Sequence, residues 1–425
     1  MKKPRFLTLI LCTINIATFN FGIAQNTKPQ KFSVAITPEN VGFSSSRLSR
    51  IDSMLNKYTM DNTMPNAVTF IAKNGQIVHY KTYGYSNIEK KQALKSNDIF
   101  RIASQTKAIT SVALMMMYEE GKFLLDDPIS NYIPEFKNPQ VIANIIDKDS
   151  SYTTKPAKRE ITIRDLLSHT SGIPYGNKIY AKAKIPGVNS LENETIGSVV
   201  KRLAKLPISH TPGEAFTYGL NTDVLGYLVE VLSGMPLDKY FKTKIFMPLG
   251  MDDTYFYLPE NKVKRLVKLY GKDSITAPLY LSKNIANQTY PYSGAKAYFA
   301  GGAGLVGPIE DYAKFCQMLL NGGTFNGNQI LGRKTIDLMT INQIGEKDVW
   351  DTENKFGLGF EVTTEKGSAK ISGSVGTYGW GGMYSTDYKI DPKENLIFLI
   401  YTNANPFPNP DINKRFRAMV YQALK

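Results

Sequence analysis

Cysteine is almost missing from this chain of 425 residues, with Cys12 and Cys316 the only two. A disulfide framework is excluded, because Cys12 falls in an N-terminal stretch that reads as removable and Cys316 is then alone. Histidine is as scarce: His79, His169 and His210 are the only three, and none belongs to an H-E-x-x-H pattern. No metal and no cofactor are therefore expected. A G-x-S-x-G elbow is also missing, which argues against an α/β-hydrolase. No run of five or more basic residues occurs, although the formal net charge is +14. Loss of Lys2, Lys3 and Arg5 would leave about +11, and dispersed lysines read as a solvated basic surface, with no nucleic-acid partner. No apolar run reaches the ~20 residues that a membrane span needs, and no internal repeat is visible.

What is there begins with a leader. Lys2, Lys3 and Arg5 precede the apolar stretch from Phe6 to Ile16, and Gly22-Ile23-Ala24 offers small residues for cleavage. Residues 1–24 read as a signal peptide, which implies export to the periplasm or the medium and no stable membrane span once it is removed. A retained anchor and a lipidated Cys12 are the alternatives. Residues 25–40 read as a polar linker. Leu48, Ile51, Leu55 and Tyr58 recur at helical spacing from Ser46. Ala67 to Ala72, then Asn74-Gly75, then Gln76 to Tyr80 spells a hairpin.

A long helix is expected from Ser104 to Glu120, with Ile109, Val112, Ala113 and Met116 on its apolar face. Residues 125–290 carry helical patterns broken by proline and glycine turns. Further on, Glu310 to Leu320 reads as a helix, the stretch from Met383 to Ile390 as a strand, and Leu396 to Tyr401 as a strand of unbroken apolar character. Lys414 to Leu424 closes the chain as a helix. Strands at both ends with helices between give an α/β (α+β) class: an antiparallel sheet flanked by helices, built from 41–124 and 291–425, plus a mainly helical domain at 125–290.

Three S-x-x-K tetrads occur, at Ser104/Lys107, Ser198/Lys201 and Ser293/Lys296. Context separates them. The first follows the strand-like Asp98 to Ile102 and opens a long apolar helix, where three-residue spacing sets the amine beside the hydroxyl. First-turn amides and the helix dipole would face an anion formed at the serine. A lysine packed there would lose its charge by desolvation and act as a base. Ser198/Lys201 fits a capping serine with a solvated lysine. Tyr218, delivered by the turn Pro212-Gly213-Glu214 together with Asn221, would be a base only beside a cation such as Lys107. The glycine-dense Ser374 to Gly382, ahead of a strand, would let a ligand or backbone approach closely and offer amides to an oxyanion. Gly302-Ala303-Gly304-Leu305-Val306-Gly307 fits G-x-G-x-x-G, but no acidic residue stands about twenty positions on as a dinucleotide would need.

In order and spacing these segments resemble the class C β-lactamase superfamily of serine hydrolases, which includes esterases and penicillin-binding-protein-like peptidases. The resemblance rests on Ser104-Gln105-Thr106-Lys107, the segment Ile161 to Gly172, Pro212-Gly213-Glu214 leading to Tyr218, Asp223-Val224-Leu225-Gly226 and Gly301 to Leu305. It implies a β-lactamase/transpeptidase-like fold and an acyl-enzyme on Ser104. Lys107 and Tyr218 would relay its proton, the amides of Ser104 and Met383 would hold the oxyanion, and Asn221, Trp380, Gly381 and Gly382 would contact substrate. Two departures matter. The family's Y-x-N is broken, since the amide comes one place late at Asn221. Trp380-Gly381-Gly382 stands where β-lactamases and penicillin-binding proteins carry a cation, then a small residue and a glycine, and is similar to the esterase branch. The resemblance thus implies ester hydrolysis, with a β-lactamase, a D-peptidase or a slow penicillin-binding sensor as alternatives. The partner in each case is a small-molecule ester, amide or β-lactam-like substrate.

Overall fold

The computed structural model describes residues 1, 31–146, 151–190, 192–408 and 411–425. Apart from Met1, the leader expected at 1–24 lies outside the described residues. In the stretch expected as linker, Ser33–Val34 forms a short strand, β1, parallel to Gln76–Ile77. Strand β2 (Asn66–Lys73) and strand β3 (Gln76–Asn87) pair antiparallel from Asn66↔Gly84 to Lys73↔Gln76. At the turn, Asn74 and Gly75 have φ of 53° and 72°. Two positive values in succession make the primed turn whose twist matches that of its strands.

The other strands come from the far end of the chain: β4 (Lys355–Phe356), β5 (Glu361–Val362), β6 (Tyr378–Gly382), β7 (Thr386–Asp391) and β8 (Leu396–Tyr401). The order is β1-β3-β2-β8-β7-β6-β5-β4, with Gln92–Ala93 joined to β3 outside this path. Every neighbour pair except β1 with β3 is antiparallel. β8 is buried along its whole length. Its unbroken apolar run serves two cores, Phe398 and Ile400 facing one and Leu399 and Tyr401 the other, which is the pattern of a strand covered on both faces.

Helices α1 (Ser45–Met60), α2 (Thr106–Glu119), α4 (Ile309–Leu320) and α5 (Asp411–Gln422) frame the sheet, and α3 (Asn221–Ser233) packs on α2. The Ser44 hydroxyl accepts from the Arg47 amide at 3.3 Å and caps α1. Leu48, Ile51 and Leu55 of α1 and Phe416 and Val420 of α5 cover the outer face. On the inner face α2 differs from its expected amphipathic form. Lys107, Thr110 and Ser111 are buried along with Ile109, Val112, Ala113 and Leu114. It packs on α3 with the sheet beyond, and a helix enclosed on all sides is a central one. The stretch 125–290 holds α3, Ile163–Leu167 and Ile196–Leu203, and also a hairpin of Gln140–Ile146 with Ser151–Pro156. Its β-branched residues favour strand over helix. Among the described residues no helix is long and apolar enough to cross a membrane.

The glycine-dense segment is corrected by the structure. Gly379 to Gly382 lie inside β6, the turn falls at Met383 to Ser385, and β7 starts only at Thr386. The reason is steric. A Cβ on Gly382 would lie 2.5 Å from the Ile102 carbonyl oxygen, so only glycine lets the end of β6 close on the backbone ahead of Ser104. Gly382→Ala is expected to cost about 1–3 kcal/mol, read from chemical denaturation. A stability equal to that of the wild type would show that this approach is not tight.

Candidate active site

Ser104 is aimed by the strand before it. Phe100–Arg101 pairs with Val306–Gly307, and the Ile102 amide donates to the Leu305 carbonyl at 3.2 Å. The buried Arg101 guanidinium donates to the carbonyls of Val267 (2.8 Å), Asn287 (2.9 Å) and Gln288 (2.5 Å), locking this strand to the helical region. Ala103 then has φ of +43°, a left-handed conformation that costs a non-glycine residue about 1–3 kcal/mol. A short 3-10 turn, Ala103–Gln105, follows and runs into α2. The result is a half-buried Ser104 at the wall of a cavity of about 560 Å³, whose lining includes Ile185, Val188, Leu220, Tyr298, Met383 and Tyr384.

Lys107, one turn along, is 2% exposed. Its ammonium donates to the Ser104 hydroxyl at 3.3 Å, the Tyr175 hydroxyl at 2.6 Å and the Gly302 carbonyl at 2.6 Å. It also sits 4.7 Å from the Tyr218 ring centroid. Burial by itself would favour the neutral amine, but the phenolic oxygens of Tyr175 and Tyr218 outweigh it and hold Lys107 above its ordinary value. The desolvation that would make Lys107 the neutral base expected is outweighed here, and the direction of the shift favours the ammonium. Burial would likewise raise the Tyr218 phenol, yet Lys107 and hydrogen bonds with Ser104, Lys107 and Trp380 hold it below its usual range. Tyr175 is pushed up to about 12, chiefly by burial of its hydroxyl. Of the two phenols, Tyr218 is the one poised to lose its proton.

The structure relocates several expected substrate contacts. Asn221 is fully buried: it accepts from the Ser171 hydroxyl and donates to His169 Nδ1 at 2.9 Å. One residue too late for the cavity, it braces the floor beneath Tyr218. His169 is held neutral, its pKa pushed far down by burial and by Lys107, and its ring packs 4.8 Å from that of Tyr218. Trp380 does not line the cavity either. It is 8% exposed and donates Nε1–H to the Tyr218 hydroxyl at 2.9 Å. Gly381 and Gly382 carry β6 to the site, and Met383, half-exposed, lines the cavity with Ser104. The other tetrads lie elsewhere, Ser198 bonding the Thr195 carbonyl with Lys201 on Glu135, and Ser293 bonding the Thr289 carbonyl.

Four residues at the site were given no role from the sequence, although Gly302 and Asp223 stand in segments that carry the family resemblance. Tyr175 had a signal, because Tyr175-Gly176-Asn177 spells the Y-x-N that Tyr218 lacks, although Asn177 caps a short helix by accepting from Ile179 and Tyr180. Gly302, dismissed within a G-x-G-x-x-G match, gives Lys107 its carbonyl. A Cβ there would meet the Asp223 carboxylate at 2.5 Å, and Asp223 is a buried neighbour that receives the Tyr298 hydroxyl at 3.3 Å. Trp350 stacks on Trp380 with centroids 5.6 Å apart.

A serine, lysine and tyrosine meeting between an antiparallel sheet and a helical region define a class, and the comparisons agree: the β-lactamase family profile matches residues 51–422, so the chain belongs to that family. Protein Rv1367c of Mycobacterium tuberculosis is 30% identical over 79% of this chain and 85% of its own. Esterase EstB of Burkholderia gladioli is 27% identical over 84% of this chain and 90% of its own. Among solved structures, EstCE1, described as a hydrolase with promiscuous acyltransferase activity, superposes with a TM-score of 0.75 at 26% identity, covering 88% of this chain and 99% of its own.

Proposed function

We propose that this protein is a carboxylic ester hydrolase working through an acyl-enzyme on Ser104. One observation carries the choice of ester: among the described residues, and apart from Lys107 behind Ser104, no lysine or arginine lines the cavity. Where a cation would grip the carboxylate of a β-lactam or a D-peptide, Trp380 holds Tyr218 instead. The two lysines nearest in sequence are committed elsewhere, Lys389 to Asp387 at 3.4 Å and Glu361 at 3.7 Å, and Lys370 to Glu353 at 3.5 Å. The likeness to a protein named as an esterase supports the same reading.

In this mechanism the Ser104 oxygen attacks the ester carbonyl and its proton passes to the Tyr218 phenolate, with Lys107 stabilising the charge. Amides of Ser104 and Met383 hold the oxyanion, each contributing roughly 2.7–4 kcal/mol. Tyr218 then protonates the leaving alkoxide. Water attacks the acyl carbon, its proton again goes to Tyr218, and Ser104 regains its own. Purified protein is expected to turn over p-nitrophenyl butyrate, with nitrocefin and a D-Ala-D-Ala peptide lower by about 10–100-fold in kcat/KM, the worth of one missing charge-assisted bond. Comparable turnover of nitrocefin would replace this reading with a β-lactamase, and a persistent Ser104 adduct without turnover would replace it with a penicillin-binding sensor.

A further inference from the structure

Both tryptophans of the chain are at this site, and Trp350 is the anomalous one. It is 57% exposed although it is the largest side chain type available, and its φ is +51°. Among the described non-glycine residues with positive φ it is the bulkiest, and bulky side chains are the least tolerant of that conformation. Exposure of an indole and strain in its backbone are both unfavourable, yet the loop fixes them in place. Val349 before it is fully buried. After it, the Thr352 hydroxyl donates to the Val349 carbonyl at 2.7 Å and the Asn354 side chain donates to Glu361 at 2.9 Å. Rings complete the mounting: Trp350 lies flat on Trp380, at an interplanar angle of 29°, and edge-on to Tyr218 with centroids 5.6 Å apart. Strain held by a rigid surround is characteristic of a functional position.

We propose that Trp350 is the platform for the alcohol side of the ester, and that it selects alcohols carrying a flat aromatic ring. The proposal rests on the ester reading above. If the acyl group fills the cavity of about 560 Å³, the leaving oxygen must lie at the Tyr218 hydroxyl that protonates it. That hydroxyl accepts from Trp380, and Trp350 is stacked on Trp380. Trp350 is not part of the cavity lining, but it is exposed and packs against the Tyr218 ring, which places it where a group projecting from the acyl pocket past Tyr218 would arrive. The half-exposed Tyr175, with its ring 5.3 Å from that of Tyr218, lines the cavity at this tyrosine. A cationic alcohol is disfavoured, because the Lys107 ammonium already occupies the face of Tyr218. A planar neutral ring gains from stacking what a puckered ring of the same size cannot.

The test compares butyrate esters of benzyl alcohol and cyclohexylmethanol, which match in size, with the small intrinsic advantage of the more acidic benzyl alcohol measured in hydroxide-catalysed hydrolysis and divided out. Wild-type kcat/KM is expected to favour the benzyl ester by about 3–10-fold. Trp350→Phe keeps a flat ring and most of this ratio, and Trp350→Ala brings it close to one. Because each variant is compared with itself, partial loss of folded protein cancels. A ratio of one in the wild type, or a ratio that survives Trp350→Ala, would overturn the platform while leaving the ester reading intact. Turnover of neither ester, by protein that Ser104-directed acylating reagents still label, would overturn the ester reading and the platform with it.

Discussion

Ser104→Ala is expected to lower kcat/KM for p-nitrophenyl butyrate by about a millionfold, leaving only what binding and the oxyanion donors provide. The size follows from the site's unity. Lys107 and Tyr218 act on the proton of one hydroxyl, so without it neither has anything to do. The mass of the variant should also stay unchanged after exposure to substrate, because no acyl group has an oxygen to rest on. Ser198→Ala and Ser293→Ala, by contrast, should keep wild-type rates. Their hydroxyls are spent on the carbonyls of Thr195 and Thr289, and Lys201 is paired with Glu135. Full activity in Ser104→Ala, or loss in either of the other two, would mean that the tetrad at α2 is not the nucleophile.

The distinction among three equal tetrads was legible because a motif's setting is local. A strand-like stretch before Ser104 and a long apolar run after it are properties of neighbouring residues, and so is the Asn-Gly hairpin. Leu396 to Tyr401 was legible for a related reason: an unbroken apolar strand has to be covered on both faces. What escaped depends on contacts far apart in the chain. Whether Lys107 is neutral or charged is decided by the hydroxyl of Tyr175, 68 positions away, and by Tyr218. Desolvation, the one factor visible from an apolar helix, is outweighed by these two phenols. The family resemblance makes Asn221 a substrate contact one place late after Tyr218, but the start of α3 turns it inward onto His169. Trp350 carried no motif at all. Its position becomes informative only when its exposure and the stack on Trp380 are seen together.

Lys107→Met is the substitution that separates the charge of this lysine from its bulk. In the wild type the reactive form of Tyr218 is the phenolate, so kcat/KM should rise with pH through the Tyr218 pKa and be lost as pH falls below it. That pKa lies below the ordinary value of about 10 because the Lys107 ammonium overcomes burial. With methionine in its place burial is opposed only by the hydrogen bonds with Ser104 and Trp380, and the rising limb should move to higher pH. At a pH below both values each unit of that movement costs about tenfold in rate. Lys107→Arg, which keeps a charge, should move the limb less, and Tyr218→Phe should abolish it. The contribution of Lys107 to folding does not produce the same limb, whereas the depressed Tyr218 pKa adds stability that is lost as pH falls through it, so the folded fraction is measured alongside the rate. A lysine whose pKa is raised in the folded state contributes its stability fully below the unfolded value of about 10.4 and loses it only above the folded one, so from pH 5 to 9 that contribution is constant. Methionine removes one partner of a buried cluster and leaves the Gly302 carbonyl without its donor, which destabilises the fold, so the limb is compared on protein shown to be folded. A variant that is inactive at neutral pH, shown to be folded and partly recovered in alkali would assign the proton to Tyr218. A limb left in place by Lys107→Met would assign it to some other group.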